Sequence, residues 1–244
     1  MNKKIKISDG KTEEIIIDSV KDHKVLIEIG KLCHVTLLVI ERGAVDSSFQ
    51  LKANMAGKKS TVNINSLVIG AGVNKSNSQI EINHLARETT SSFTGYALMQ
   101  NDSEHVWAVT TIIENIAKKS VASQKINNLL LGTSGGVKNR PALIIRNNDV
   151  ICSHAVATGH LDEEQLFYSQ SRGLTVAQSK SLMARGFVEP FLQQLPKCVE
   201  QELGDKIDNL LDGFAQVAKP SPSDIGDPRA EIKGRLIVKS KNLY

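Results

Sequence analysis

Cys152 and His154 are separated by one residue in the segment NDVICSHAV, residues 148–156. If residues 148–151 lead in as an extended segment, the side-chain alternation of a strand puts both on the same face. A thiolate beside an imidazole suits soft or borderline metals, including zinc and the iron of iron-sulfur clusters. Two ligands do not complete a four-coordinate site, so two more must come from elsewhere in the fold or from a second chain. The plainer alternative is that Cys152 packs as a small buried hydrophobe while His154 is a hydrogen-bonded residue at a strand end.

Other candidates carry less. Cys33 and His34 are adjacent, so in a strand they face opposite ways and do not share a ligand. Cys198 falls at a helix start, where the dipole lowers a thiol pKa, but its neighbourhood is apolar and packing explains it better. The run GTSGG at 132–136 lacks the GK[ST] ending of a phosphate-binding loop and reads as a tight turn. No GxSxG is present, and no Ser, His and Asp trio declares itself.

These residues sit in a chain of 244, long enough to bury a sizeable core without staples. Three cysteines with no close spacing suggest neither a disulfide framework nor a zinc ribbon, which fits a reducing, cytoplasmic setting. No apolar run reaches a membrane-spanning length, and the lysines of MNKKIKISDGK have no apolar stretch behind them, so a soluble, unprocessed chain is expected. Thirty Lys and Arg against 26 Asp and Glu give a formal charge of +4, with the basic residues scattered along the chain. That charge, with only one Trp, three Tyr and six Phe for stacking, argues against nucleic-acid or polysaccharide surfaces.

The elements that position the pair change character near residue 160. Up to about Ile151 the chain consists of short runs rich in Val, Ile, Leu and Thr: 13–19, 23–30, 34–43, 60–70, 78–86, 103–115 and 140–154. Several lie about twenty residues apart with no helical pattern between them, which leaves a sandwich or a β-solenoid. Asn63, Asn65 and Asn83 read as polar ladders of a solenoid, although no exact repeat is evident. Beyond 160, Asp162 reads as an N-cap with Gln165 three positions on, opening a helix over 163–172 that Gly173 stops. Thr175 with Gln178 opens a second helix through Ala184, ended by Gly186, and Pro196 stands near the start of another. Ile207, Leu210, Leu211 and Phe214 form an amphipathic stripe. The proline-rich stretch after it reads as a linker or loose tail with one short strand at 235–238.

Residues 148–192 resemble the signature of the SufB/SufD family of iron-sulfur cluster assembly proteins, in its SufD-like form. The CSH triplet, the DEEQLFY helix start, the SRG stop and the later GF carry the resemblance. Looser similarity in 82–99 and 126–132 extends it over about 60–215. It implies a mainly β fold, a right-handed parallel β-helix over 1–159, followed by a small C-terminal α-helical domain over 160–218 and a linker or flexible tail over 219–244.

The family resemblance also implies roles. Family members pair through the β-helix, as homodimer or heterodimer, and bind a SufC-like ABC ATPase through their C-terminal helices. Cys152 and His154 match the cysteine and histidine near the subunit interface, where a transient iron-sulfur cluster is built. Asp162, Glu163, Glu164, Gln165, Phe167, Tyr168, Arg172, Gly173 and Phe187 fall in the implied ATPase dock. The chain would be a scaffold and not an enzyme, with ATP acting only through the partner, and with neither nucleic acid nor membrane as partner. Ile126 stands where a SufB-type chain has its sulfur-handling cysteine, and Ser153 and Ala155 replace the glutamates that flank the SufB-type histidine. The chain is also short at its N-terminus compared with longer members. The alternatives are a structural partner without cluster ligands and a β-helical carbohydrate-active enzyme, the second disfavoured by the scarcity of aromatic rings.

Overall fold

The structure is a computed structural model that describes residues 2–19, 22–43, 46–100, 102–132, 134–197, 199–201, 204–205 and 236–240. Twelve strands follow one another: β1 (Asn2–Ile7), β2 (Thr12–Ser19), β3 (His23–Ile29), β4 (His34–Gly43), β5 (Ser47–Met55), β6 (Thr61–Gly70), β7 (Lys75–His84), β8 (Thr90–Met99), β9 (Glu104–Ile113), β10 (Ser120–Leu130), β11 (Gly136–Ile145) and β12 (Val150–His160). Helices α1 (Glu163–Ser171) and α2 (Val176–Leu192) come next, and β13 (Leu236–Ser240) lies near the end. Odd strands form one sheet in the order β1-β3-β5-β7-β9-β11, and even strands form the other, β12-β10-β8-β6-β4-β2. Every pair is parallel except β13, which runs antiparallel along β2. This is a parallel β-helix followed by helices, and the sandwich alternative falls.

The coil is longer than the twenty-residue spacing suggested. Successive register partners His34, Thr61 and Thr90 are 27 and 29 residues apart, and Ser120 and Val150 are 30 apart. The short spacing came from strands on alternating sheets, and β5, β8 and β10 passed unseen between them. In β8 and β10 the inward positions include Ser91, Ser120, Gln124 and Asn128, all buried, so apolar alternation does not mark those two strands, whereas β5 does alternate, with Phe49, Leu51, Ala53 and Met55 inward. The extended run read over 140–154 is two strands, one in each sheet. Asn147 breaks it: its Oδ1 accepts the Asp149 N–H at 2.8 Å, and its Nδ2 donates to the Asn115 carbonyl at 2.7 Å.

Alternation builds the interior. Val35, Leu37 and Val39 of β4 stack on Val62 and Ile64 of β6, facing Leu51, Ala53 and Met55 of β5. Phe93 and Trp107 meet edge to face at 5.6 Å across the two sheets. The core also holds polar side chains that satisfy one another. Glu41 accepts from Ser78 Oγ (2.6 Å) and Ser66 Oγ (3.2 Å), and His105 contacts Ser78 and Ser76. Burial pushes the Glu41 carboxyl up to about 7 against those serine hydrogen bonds, and pushes His105 down to about 3. His84, held between Thr89 and Ser91, is pushed down to about 4 by burial. The asparagines of the sequence reading do not form one ladder: Asn83 donates to Asn54 in the odd sheet, Asn63 accepts from Ser92 in the even sheet, and Asn65 reaches Gln194.

A repeat does exist, at the corner that joins each odd strand to the next even one. Leu32, Lys59, Glu88 and Lys119 all adopt positive φ, between 53° and 60°, and Gly10 does so at 74°. The N–H of each donates to the carbonyl one coil further on: Gly10 to Lys31, Leu32 to Lys58, Lys59 to Arg87, Glu88 to Lys118 and Lys119 to Asp149. Behind them Cys33, Ser60, Thr89 and Ser120 are buried one above another. The sequence signature is a basic residue, a left-handed residue and a small polar one, at intervals of 27, 29 and 31 from Lys31 through Lys118.

The helices follow from their caps and one apolar face. Asp162 caps α1 by accepting the Glu164 and Gln165 N–H groups, and Gly173 (φ 93°) ends the turn after it. The two-way capping box is formed at α2, by Thr175 and Gln178. Contrary to the sequence reading, α2 does not stop at Gly186 but runs to Leu192 with Pro190 inside it. Pro190 lacks the N–H that would bond the Gly186 carbonyl. Packing decides the outcome: Ala184, Val188, Phe191 and Leu192 bury against Leu67, Ile69, Leu98 and Leu129 on the outer face of the even sheet. A fully buried side chain such as Phe191 contributes about 2 kcal/mol. Residues 197, 199–201, 204 and 205 are helical after Pro196, whose carbonyl accepts from Val199 and Glu200. Cys198 and the stripe at Ile207, Leu210, Leu211 and Phe214 lie outside the described residues.

Candidate functional site

Cys152 and His154 stand on β12, the last strand of the even sheet, with β10 as its partner strand. Register sets Cys152 over Ala122 and His154 over Gln124, both buried, inward-facing residues of β10. The pair thus shares one face, as alternation predicted, and among the described residues that face is the open end of the β-helix interior. Cys152 is half-buried against Ile113, Ala117 and Ala122. Burial raises its thiol pKa, partly offset by a backbone hydrogen bond from Ala122. A lone Cys152 is therefore a neutral thiol at pH 7, and a metal or cation beside it is needed to favour the thiolate. His154 is exposed.

Beneath His154, the Gln124 amide nitrogen donates to Thr111 Oγ1 (2.9 Å) and the Ala142 carbonyl (3.1 Å), while its buried Oε1 has no hydrogen-bond partner. A second buried chain runs from Trp107 Nε1 to Asn128 and from Asn128 to Thr158 Oγ1 (2.9 Å), tying β12 into the core. Sequence reasoning missed Gln124 and Asn128 because inward polar residues carry no signature without the register. Ile126, where the family resemblance places the SufB-type cysteine, is fully buried core under Val156. Among the described residues, no group of three or more His, Cys, Asp or Glu side chains converges as a metal site would require. One chain thus supplies two donors of borderline and soft character, and a complete ligand set needs a second surface.

The β12 edge is unusual for an edge strand. It has no Lys, Arg, Asp, Glu or Pro, and Ile151 is 71% exposed. Unprotected edges of this kind invite strand pairing. The other edges are guarded: β1 carries three lysines, β2 is covered by β13, and β11 holds Lys138, Arg140 and Pro141.

The residues read as a dock separate into two groups. Glu163, Glu164, Gln165, Phe167, Tyr168, Arg172, Gly173 and the cap Asp162 are exposed on or beside α1, a helix with no buried residue. Phe167 and Tyr168 are 76% and 60% exposed. The Arg172 guanidinium lies 5.2 Å over the Tyr168 ring and donates to its hydroxyl at 3.1 Å, fixing that ring. Phe187 is placed elsewhere: it is half-buried on α2 and meets Tyr96 edge to face at 5.8 Å.

Together these features define a parallel β-helix protein with a helical extension, its β12 end open among the described residues. Residues 18–187 match the SufBD core domain of the SUF system for iron-sulfur cluster assembly, and the chain belongs to that SufB/SufD family. It is 26% identical over 151 residues to the iron-sulfur cluster assembly protein SufD of Bacillus subtilis strain 168, covering 62% of this chain and 35% of that protein. Escherichia coli K12 SufD is 26% identical over 161 residues, or 66% and 38% of the two chains. A SufBD family protein of Pyrococcus horikoshii is 36% identical over 80 residues, covering 33% of this chain and 18% of the relative. The chain spans little more than a third of the length of the SufD relatives it matches. No helix among the described residues is long and apolar enough to cross a membrane.

Proposed function

We propose that this chain is a scaffold subunit of a SUF-type assembly complex, without turnover of its own, that pairs through β12 and docks an ABC-type ATPase through α1. The observation that carries the reading is the unguarded β12 edge, which bears Cys152 and His154 where a second β-helix would meet it. Pairing across that edge would extend the even sheet and shield Ile151 and Val156 from water. Two copies about a two-fold axis would also bring two thiols and two imidazoles to one place. Iron and sulfide are the cargo of such a site. Cys152 would hold iron or sulfur as a thiolate, and His154 would act as ligand or proton carrier. The orphaned Gln124 oxygen one rung below supports a role for His154, because an imidazole N–H turned inward would satisfy it.

The exposed α1 face supports docking. Phe167 and the Arg172-braced Tyr168 form an apolar anchor beside Glu163 and Glu164, the composition of an interface centre with a polar rim. Anaerobic reconstitution with iron and sulfide, read by visible absorption, tests the ligand role on the wild type, Cys152→Ala and His154→Ala. Loss of the charge-transfer bands in either variant is expected; equal loading in all three removes that role. One observation favours the second reading, a structural partner without cluster ligands: Cys152 already packs on Ile113 and Ala117 as an apolar side chain would.

A further inference from the structure

The corner repeat gathers charges that lie far apart in the chain. Lys31, Lys58, Arg87 and Lys118 occupy equivalent positions in four successive coils, because each offers its carbonyl to the left-handed residue one coil earlier. Adjacent strands of a sheet are about 4.8 Å apart, so the four basic side chains form a column about 14 Å long on the outside of the β-helix. All four are exposed, and none takes part in an ion pair among the described residues. The column has definite ends, since Asp9 precedes Gly10 at the equivalent place below Lys31, and Asp149 follows above Lys118. The opposite corner differs in sign: Asp22 and Asp46 stand there and accept the Ser48 and Lys75 backbone N–H groups.

We infer that this corner is a docking surface for an acidic helical segment of a partner protein. Carboxylates one turn apart on a helix repeat every 5 to 6 Å or so, close to the rung spacing, so one helix laid along the corner meets successive cations. Three of the four cations are lysines, which lack the bidentate fork that favours phosphate, and no Phe, Tyr or Trp lies at the corner to stack a base. The terminal aspartates would repel a polyanion that continued past the column, whereas a short acidic helix ends where the column ends. The upper end of the column lies at Asp149, one residue before β12 begins, so a docked partner would sit beside the open end of the β-helix. The inference stands on the corner geometry and does not depend on cluster binding.

The test is fluorescence anisotropy at low ionic strength with a labelled alanine-rich peptide carrying four glutamates one helical turn apart. Binding that weakens with salt is expected, and the triple variant Lys58→Gln, Arg87→Gln, Lys118→Gln should reduce affinity about tenfold, as three exposed ion pairs imply. The control Lys4→Gln, Lys6→Gln, Lys24→Gln removes the same charge from the odd sheet and should leave affinity unchanged. Absence of peptide binding, equal loss in both triples, or tighter binding of labelled oligothymidylate or of phosphatidylglycerol vesicles each overturns the inference.

Discussion

Replacing Glu41 by Gln should change how the stability of the β-helix depends on pH more than its stability at any one acidic pH. Glu41 projects into the interior from β4, is 5% exposed, and has two serine hydroxyls for partners with no cation among them. Its carboxyl is raised from 4.5 to about 7, with burial as the first cause and the serine bonds opposing it. The folded chain therefore holds a proton between those values that the unfolded chain has released. The stability linked to that proton is fully present below 4.5 and is lost as pH rises through 7. The interval corresponds to about 3 kcal/mol, a large fraction of the stability of an ordinary domain. Glu41→Gln mimics the protonated carboxyl and does not titrate. Urea unfolding of both proteins should give nearly equal stability near pH 4, with the variant ahead by up to about 3 kcal/mol above pH 8. A constant difference across that range would show that Glu41 ionises freely, and the reasoning about this buried chain would fail.

The buried histidines act with the opposite sign. With His105 lowered to about 3 and His84 to about 4, their contribution is complete above 6.5 and is lost as pH falls, so His105→Gln should flatten the acid limb of the same curve. At Gly57 a Cβ would collide with the backbone of Gly30 and Lys31, so Gly57→Ala should yield little folded protein, read as loss of the strand signal in circular dichroism. Pro190→Ala restores a donor for the Gly186 carbonyl at an exposed site and should raise the melting temperature by an amount equivalent to about 1–3 kcal/mol. Ile151→Lys with Val156→Lys should weaken self-association or pairing at least tenfold by sedimentation, leaving circular dichroism unchanged, if β12 is the pairing edge.

The fold was legible where burial and apolarity coincide and illegible where they part. Strands β2, β3, β4 and β6 carry inward Ile, Leu and Val, and their limits follow from alternation. Strands β8 and β10 place Ser91, Gln124 and Asn128 inward, and only hydrogen bonds across the interior make those positions tolerable. Gly186 reads as a stop because its local cost is real, and Pro190 adds to that cost, but the apolar side chains on either side gain more by staying helical against the even sheet. The shared face of Cys152 and His154 was readable from strand period alone. Their lack of further ligands in one chain, and the gathering of basic residues that look scattered in sequence, required the coil length of 27 to 31 residues.

The two ends of a solenoid pose the same physical problem, an exposed core and unpaired backbone groups, and this chain treats them differently. At the first coil, Lys3 occupies an inward-facing place beside Val25, and β13 supplies a partner for the edge of β2. At the last coil, Cys152, His154 and Val156 continue the inward rows with nothing above them among the described residues, and β12 keeps an open edge. An end cap of charge would serve solubility, yet it would also displace the thiol and imidazole from the surface that a second subunit would complete. The same reasoning accounts for the thiol itself: neutral at pH 7 like any ordinary thiol, and further from ionising because burial pushes its pKa up, Cys152 would gain thiolate character only when a metal or a partner's charge arrives. Chemistry at this end would then be conditional on assembly, and titration of Cys152 with a thiol-reactive probe should show slow reaction of the chain alone at pH 7. Rapid reaction there, at the rate of a free exposed thiol, would contradict it.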